Sequence, residues 1–159
     1  MHTSAWVTRS VLRGIGPDRQ SCSFDVPKLH SLPRNGDPLT HLGPCNPCHM
    51  ALLATMFLLR EVEATTAKVS AWTLAADELE ITWHLPGSKT DHMALGVDRT
   101  LPCFCGIDSV PCPYHLALEH LSWLRASKYS DASTAALFPN VNGTISSKEA
   151  VVRTFEKIG

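Results

Sequence analysis

The chain has 159 residues, of which 44% are hydrophobic and 18% are charged, and its formal net charge is -1. This length and composition are typical of one globular domain with its own core. They exclude a strongly basic domain that coats nucleic acid, so any DNA contact must come from a local positive patch. No run approaches the roughly 18 apolar residues of a membrane-spanning helix, and residues 1–10 lack the apolar stretch of a secretory signal. We therefore expect an intracellular protein without a membrane partner, nuclear if its source is eukaryotic.

The first part of the chain, residues 1–46, is weakly patterned and rich in Pro, Gly and Ser, which predicts an irregular N-terminal segment. Asn46-Pro47 then predicts a helix start, because Asn is a favoured N-cap and Pro is favoured at the first helical position. The helix is predicted to span 47–64, and its apolar middle indicates burial on every face. We expect the folded domain to cover 47–159.

A small sheet is predicted in the middle of the chain. Apolar and polar residues alternate from Leu79 to Leu85, which is the pattern of a strand with one buried face. A short strand at 68–72 precedes this strand, Pro86-Gly87 ends it, and a return strand is expected over 93–100. Together these segments predict a three-stranded antiparallel meander.

Two further helices are predicted in the C-terminal part. Apolar residues recur at helical spacing over Pro113–Ala126. The segment from Ser146 to Glu149 resembles a capping box, with Ser146 as N-cap and Glu149 at N3, and it opens a helix that reaches Ile158. The chain is therefore predicted to have an α+β fold that is mainly helical, with a small three-stranded antiparallel meander.

Three charged residues stand out against this apolar background. Arg60 and Glu63 lie at the end of the predicted 47–64 helix, and Lys89 follows the alternating strand. Because burying an unpaired charge costs several kcal/mol, an arginine in such a helix is either paired or functional. An arginine, a carboxylate and a hairpin lysine are also groups with which a protein can hold and cleave a phosphodiester. The alternatives are a helix-end ion pair and a solvated turn lysine.

In this order, the elements resemble the catalytic domain of tyrosine recombinases, the phage-integrase superfamily of DNA strand transferases, and especially integrase-like genes of mobile elements. The segment Leu59–Glu63 is similar to the family's first box, Arg-x-x-Glu on a helix. The segment 79–100 is similar to the hairpin that carries the catalytic lysine. Leu137-Phe138-Pro139 and Gly143 are similar to the stretch before the second box. The resemblance covers 47–159.

The family's second box, His-x-x-Arg, does not occur in this sequence, and Tyr114 and Tyr129 lie too early to be the nucleophile. We therefore expect a truncated, N-terminal portion of such a domain, a strand transferase by resemblance that does not cleave DNA alone. Without the later helices of the family fold, the 47–64 helix is expected to expose a large apolar area. Such an area predicts self-association.

The resemblance implies a role for each matched residue. Arg60 would bind the phosphate oxygens, because its planar guanidinium can contact two of them. Glu63 would orient Arg60, and Lys89 would protonate the leaving 5′-oxygen as general acid. No metal cofactor is required, and the implied partner is DNA. The hairpin residues expected to contact DNA are Ser88, Thr90 and His92, with a solvated hairpin tip as the alternative for His92.

A second hypothesis comes from the cysteines, which we read as reduced thiols or metal ligands because no secretory signal precedes them. Cys103, Cys105, Cys112 and His115 have spacings compatible with one structural Cys₃His zinc site. Cys45-x-x-Cys48-His49 is compatible with zinc as well. The alternative for these residues is a set of buried or loop thiols. The corresponding alternative function is a small zinc-stabilised binding module without catalysis, and an open reading frame that folds poorly is a third possibility.

Overall fold

The computed structural model describes Leu29 and residues 36–86, 96–107, 111–129 and 131–158. The helices and strands within these residues are α1 (Pro47–Met56), α2 (Glu61–Thr65), β1 (Trp72–Ala75), β2 (Glu80–Leu85), β3 (Val97–Pro102), α3 (Pro113–Ala126) and α4 (Lys148–Ile158). Among the described residues, four helices accompany a three-stranded antiparallel sheet. The predicted α+β fold is therefore confirmed.

The sheet has the order β1-β2-β3, and both strand pairs are antiparallel. Strand β2 lies in the centre, with Ile81, Trp83 and Leu85 buried and the residues between them half-buried. This burial pattern confirms the alternation seen in the sequence, because successive side chains of a strand point to opposite faces. The ring of Trp83 packs edge-on against Trp72 of β1, with 5.2 Å between centroids.

The outer strands differ from the prediction. The strand predicted at 68–72 begins only at Trp72, because Val69–Ala71 forms a 3-10 helix. Lys68, just before this helix, forms an isolated bridge with Ala136 instead. The return strand β3 runs to Pro102, two positions beyond the predicted end. Its predicted start at 93 lies outside the described residues.

The single helix predicted over 47–64 is wrong, because the chain turns between α1 and α2. Helix α1 ends at Met56, and Leu58 adopts a left-handed conformation with φ 51°. The turn keeps Phe57 2% exposed while the side chain of Leu58 is 82% exposed. Phe57 packs edge-on against Trp83, with 5.4 Å between ring centroids. Burial of this aromatic ring accounts for the break, since a continuous helix would direct the side chains differently.

The apolar face expected to be exposed on α1 is instead covered. Residues Pro47–Ala54 are all buried. Helix α1 packs against α3 and α4, and Leu29 joins the same core at 1% exposure. The premise for self-association was therefore wrong, because α3 and α4 cover α1. Among the described residues, no helix combines the length and the apolar character that crossing a bilayer requires.

The C-terminal helices follow the prediction closely. Helix α3 has the predicted bounds, with Pro113 in its first turn. Helix α4 begins at Lys148, but its N-cap is Ser147, whose Oγ accepts a hydrogen bond from the Ala150 N–H at 3.2 Å. Ser146, the predicted N-cap, is buried at 3% exposure instead. The predicted capping box is therefore wrong, because with Ser147 as N-cap Glu149 stands at N2 and Ala150 at N3.

Residues 36–46 are irregular and are hydrogen-bonded to the far end of the chain. The Cys45 N–H donates to the Pro139 carbonyl at 2.8 Å. The hydroxyls of Thr40 and Thr154 lie 2.7 Å apart, and Lys157 Nζ donates to the Leu39 carbonyl at 2.9 Å. This segment thus packs with α4 as part of the same folded unit.

Candidate functional site

Arg60 and Glu63 form a close ion pair at the start of α2. Arg60 has extended backbone geometry just before the helix, and its N–H donates to Glu63 Oε2 at 2.8 Å. Its Nε and Nη2 donate to Glu63 Oε1 at 3.0 and 2.6 Å. The Arg60 side chain is 61% exposed. The expectation of an arginine inside an apolar helix was therefore wrong, because the turn after α1 carries Arg60 to the surface.

The electrostatics of the pair hold both groups ionised. Hydrogen bonding to Glu63 raises the pKa of Arg60 above its ordinary value. Burial raises the pKa of Glu63, but hydrogen bonds from Arg60 and the nearby charge of Arg99 outweigh it, so the net pKa is lowered. Glu63 accepts two hydrogen bonds from the guanidinium and one from the Arg60 backbone N–H, and the two side-chain bonds orient the guanidinium at the surface.

Glu63 of this pair, but not Arg60, lines a cavity of about 500 Å³. Its walls include Glu63 and Lys68 on one side and Leu85, Pro86 and Asp98 on the other. Pro86 is the last described residue before 87–95.

The predicted hairpin residues cannot be compared with the structure. Lys89, Ser88, Thr90 and His92 lie outside the described residues. The strands β2 and β3 are described, and His84 on β2 contacts a polar side chain on each neighbouring strand. His84 Nδ1 lies 2.8 Å from Asp98 Oδ1, and its Nε2 lies 2.8 Å from Thr73 Oγ1.

The predicted metal ligands come together between β3 and α3. Cys103 follows β3, Cys105 lies in a turn, Cys112 is the N-cap of α3 and His115 lies in its first turn. The His115 Nδ1 atom lies 3.1 Å from Cys105 Sγ, 3.2 Å from Cys112 Sγ and 3.7 Å from Cys103 Sγ. The four ligand atoms all lie within 4.8 Å of one another. The cluster can hold a metal ion.

The longer of these separations fit the size of a zinc site, and the distances from His115 Nδ1 to the Cys105 and Cys112 sulfurs are shorter than the tetrahedral value. Zn–S bonds of about 2.3 Å and Zn–N bonds of about 2.0–2.1 Å in a tetrahedron imply ligand separations of roughly 3.6–3.8 Å. The Cys103 and Cys112 sulfurs are 3.5 Å apart. The Phe104 N–H also donates to Cys112 Sγ at 3.2 Å, the kind of supporting hydrogen bond that orients a metal ligand.

The thiols in the cluster differ in how readily they ionise. Burial raises the pKa of Cys112, but hydrogen bonds from His115, Phe104 and Cys103 outweigh it and lower the pKa to about 6. Hydrogen bonding to Cys103 and burial raise the pKa of Cys105 to about 11. Without a cation, ionisation of one thiol therefore disfavours ionisation of its neighbours, because adjacent thiolates repel one another.

The Cys45-x-x-Cys48-His49 pattern does not gather metal ligands. Cys45 is 2% exposed and donates a hydrogen bond to Tyr129 Oη at 3.4 Å. His49 Nε2 on α1 lies 3.4 Å from Glu119 Oε2 on α3. Among the described residues, ligand atoms that could hold a metal ion converge at Cys103–His115 and not at this pattern. These residues are core components.

Two residues were missed by sequence reasoning. Arg99 of β3 donates from Nη1 to the Leu58 carbonyl at 2.9 Å and also to the Phe57 carbonyl. His120 of α3 is fully buried and lies between Asn46 and the Leu137 carbonyl. No spacing signal identifies either residue, because their partners lie far away in sequence.

Comparison with models of protein families finds no match for this chain, and comparison with curated proteins finds none either.

Proposed function

We propose that this chain is a portion of a tyrosine-recombinase-type catalytic domain that binds a DNA phosphate through Arg60 and does not transfer strands alone. The supporting observation is the Arg60–Glu63 pair, in which Glu63 holds an exposed guanidinium by two hydrogen bonds and also lines a cavity of about 500 Å³. The order of the sequence motifs also supports it. The absence of a His-x-x-Arg box and of a suitably placed tyrosine limits the proposal to phosphate binding.

The chemistry of the pair suits this task. Arginine stays charged at all ordinary pH values and can present parallel N–H groups to phosphate oxygens. Glu63 contacts the Nε and Nη2 atoms through one oxygen, which restrains rotation of the guanidinium. A restrained donor loses less entropy on binding than a mobile surface arginine. Glu63 is thus assigned to orientation rather than to contact with DNA, since its negative charge repels phosphate.

We expect Arg60→Ala to weaken binding to a DNA duplex about 10- to 150-fold, since a charged hydrogen bond to phosphate contributes roughly 1.5–3 kcal/mol. The slope of log affinity against log salt concentration should decrease by about 0.9, the change for one lost phosphate contact. Fluorescence anisotropy with a labelled duplex measures both quantities. Arg125→Ala is the matched control, because Arg125 is exposed and pairs with Asp131 at the end of α3. Equal losses in the two variants would contradict a specific role for Arg60.

A structural zinc site is a second proposal, favoured by the four converging ligand atoms. Cys103, Cys105, Cys112 and His115 would hold the ion, leaving no open position for catalysis. When bound, zinc would supply a cross-link between the end of β3 and the start of α3. This proposal is compatible with the first. If the protein does not bind DNA, the proposed function becomes that of a zinc-stabilised binding module.

We expect the purified protein to bind zinc in equimolar amount and to show the visible absorption of tetrahedral thiolate coordination after cobalt substitution. The reason is that three sulfurs and one nitrogen at these distances match a tetrahedral site. Metal analysis and the cobalt spectrum measure this. Cys45→Ala, which removes a buried sulfur outside the cluster, should keep the spectrum, whereas Cys105→Ala should lose it. A featureless cobalt spectrum in the wild-type protein would refute the site.

A further inference from the structure

We infer that Arg99 of β3 is a positioning residue for Arg60, because it fixes the turn from which Arg60 emerges. This inference rests on the proposed phosphate-binding role of Arg60. Arg99 lies on the strand that follows the segment with Lys89, opposite Trp83 of β2. It would therefore couple the hairpin to the phosphate-binding arginine.

The contacts of Arg99 are directed at the end of α1. Its Nη1 donates to the Leu58 carbonyl at 2.9 Å, and it also donates to the Phe57 carbonyl. The last carbonyls of a helix have no partner inside the helix, and a cation at that end interacts favourably with the helix dipole. Arg99 thus satisfies backbone groups that the turn leaves unpaired.

The turn depends on these bonds for its geometry. Leu58 has φ 51°, a conformation that is costly for a residue with a side chain. Leu58 is 82% exposed, so its own side chain adds little to the packing that Phe57 provides next to it. Backbone bonding also holds the turn: the Leu58 N–H donates to Thr55, the Leu59 N–H donates to Ala54, and the Leu58 carbonyl accepts from Arg99. Arg60 follows Leu58 by two residues, so the path of this turn sets where its side chain begins.

Arg99 also interacts electrostatically with the Arg60–Glu63 pair. Arg99 is close enough to contribute to lowering the pKa of Glu63. Glu63 therefore experiences two guanidinium groups, Arg60 by direct hydrogen bonds and Arg99 through space. Loss of Arg99 would remove both the support of the turn and a positive charge near Glu63.

The test is a double-mutant cycle between Arg99→Met and Arg60→Ala, read as affinity for a labelled DNA duplex. Methionine keeps an unbranched apolar chain and removes the charge and the donors. We expect Arg99→Met to weaken binding roughly threefold to tenfold in the wild-type background and by less than about twofold with Arg60→Ala. Arg99→Lys should fall between wild type and Arg99→Met, because an ammonium retains donors for the carbonyls. Arg125→Met serves as the control for loss of one exposed positive charge.

The outcomes separate the inference from the proposed function. If Arg60→Ala leaves DNA affinity unchanged, the proposed function fails. If Arg60→Ala weakens binding but Arg99→Met does not, the positioning role fails alone. Additive losses would make Arg99 an independent DNA contact and would also overturn the inference. Thermal melting of each variant checks folding, and if Arg99→Met does not fold, the same cycle with Arg99→Lys decides between coupled and additive losses.

Discussion

Removal of metal from the Cys103–His115 cluster is expected to abolish most of the cooperative thermal unfolding of this domain. Structural zinc sites contribute about 10–16 kcal/mol of apparent binding free energy in small peptides at neutral pH. The whole stability of a typical domain is only about 5–15 kcal/mol. Because the cluster joins the end of β3 to the N-cap of α3, its loss frees two elements that pack on α1 and β2.

Cys112→Ser should reproduce the effect of a chelator, because it removes a ligand that also accepts the Phe104 N–H and lies beside His115. Melting followed by circular dichroism, with and without chelator, measures the change. Cys45→Ser is the matched control, since it alters a cysteine outside the cluster. It should keep its response to chelator, whereas Cys112→Ser should no longer respond. An unchanged wild-type melting curve in chelator would show that the fold does not need the metal.

Acidification is expected to destabilise the protein through His120. This residue is fully buried, its Nε2 lies 2.6 Å from the Leu137 carbonyl, and its Nδ1 lies 3.1 Å from Asn46 Nδ2. The contacts fit a neutral ring that donates from Nε2 and accepts at Nδ1. Burial lowers the pKa of His120 from 6.5 to about 3, although the Leu137 carbonyl acts in the opposite direction.

The direction in which the free energy of unfolding changes with pH follows from proton binding. Between pH 6.5 and about 3, the unfolded chain binds a proton at His120 and the folded chain does not. The free energy of unfolding therefore falls as pH decreases through this range, by up to about 1.4 kcal/mol per pH unit from this group. Its contribution is fully present above pH 6.5 and is lost progressively below it.

Denaturant unfolding at pH 7 and pH 5 measures this effect in the wild type and in His120→Gln. Glutamine has no titrating ring, so the difference in unfolding free energy between the two pH values should be smaller in the variant by about 2 kcal/mol. Comparing pH differences, rather than absolute stabilities, removes the cost of the substitution itself. His84→Gln, on the exposed face of the sheet, should leave most of the wild-type difference in place. Parallel pH dependence in wild type and His120→Gln would refute a neutral buried His120.

The elements that could be predicted are those with local signals. Helix α3 begins at a proline and repeats apolar residues at helical spacing, and both bounds were found. Strand β2 alternates, and its burial follows the alternation. The break between α1 and α2 has no local signal, because Phe57, Leu58 and Leu59 all suit a helix. Tertiary contacts of Phe57 with Trp83 and of Arg99 with the turn override that preference.

The same division applies to the candidate sites. The ligands Cys103 to His115 are close in sequence, so their spacing alone was enough to predict the cluster. The Arg60–Glu63 pair could be predicted because the two residues are three positions apart. The exposure of Arg60 could not be predicted, since it depends on the turn at Leu58. His120 could not be distinguished from any histidine on an apolar helix face, because its partners Asn46 and Leu137 are positioned only by the folded core.

The bonds that tie residues 36–46 to the C-terminal region have a consequence for synthesis on the ribosome. Thr40 meets Thr154, and Leu39 meets Lys157, across separations of 114 and 118 residues. Since chains grow at about 5–20 residues per second, the early segment waits roughly 6–24 s for its partners to be made. Helix α1, whose residues Pro47–Ala54 are all buried in the fold, lacks its α4 neighbour during that interval. We therefore expect nascent chains to expose part of the buried surface of α1 until α4 is made.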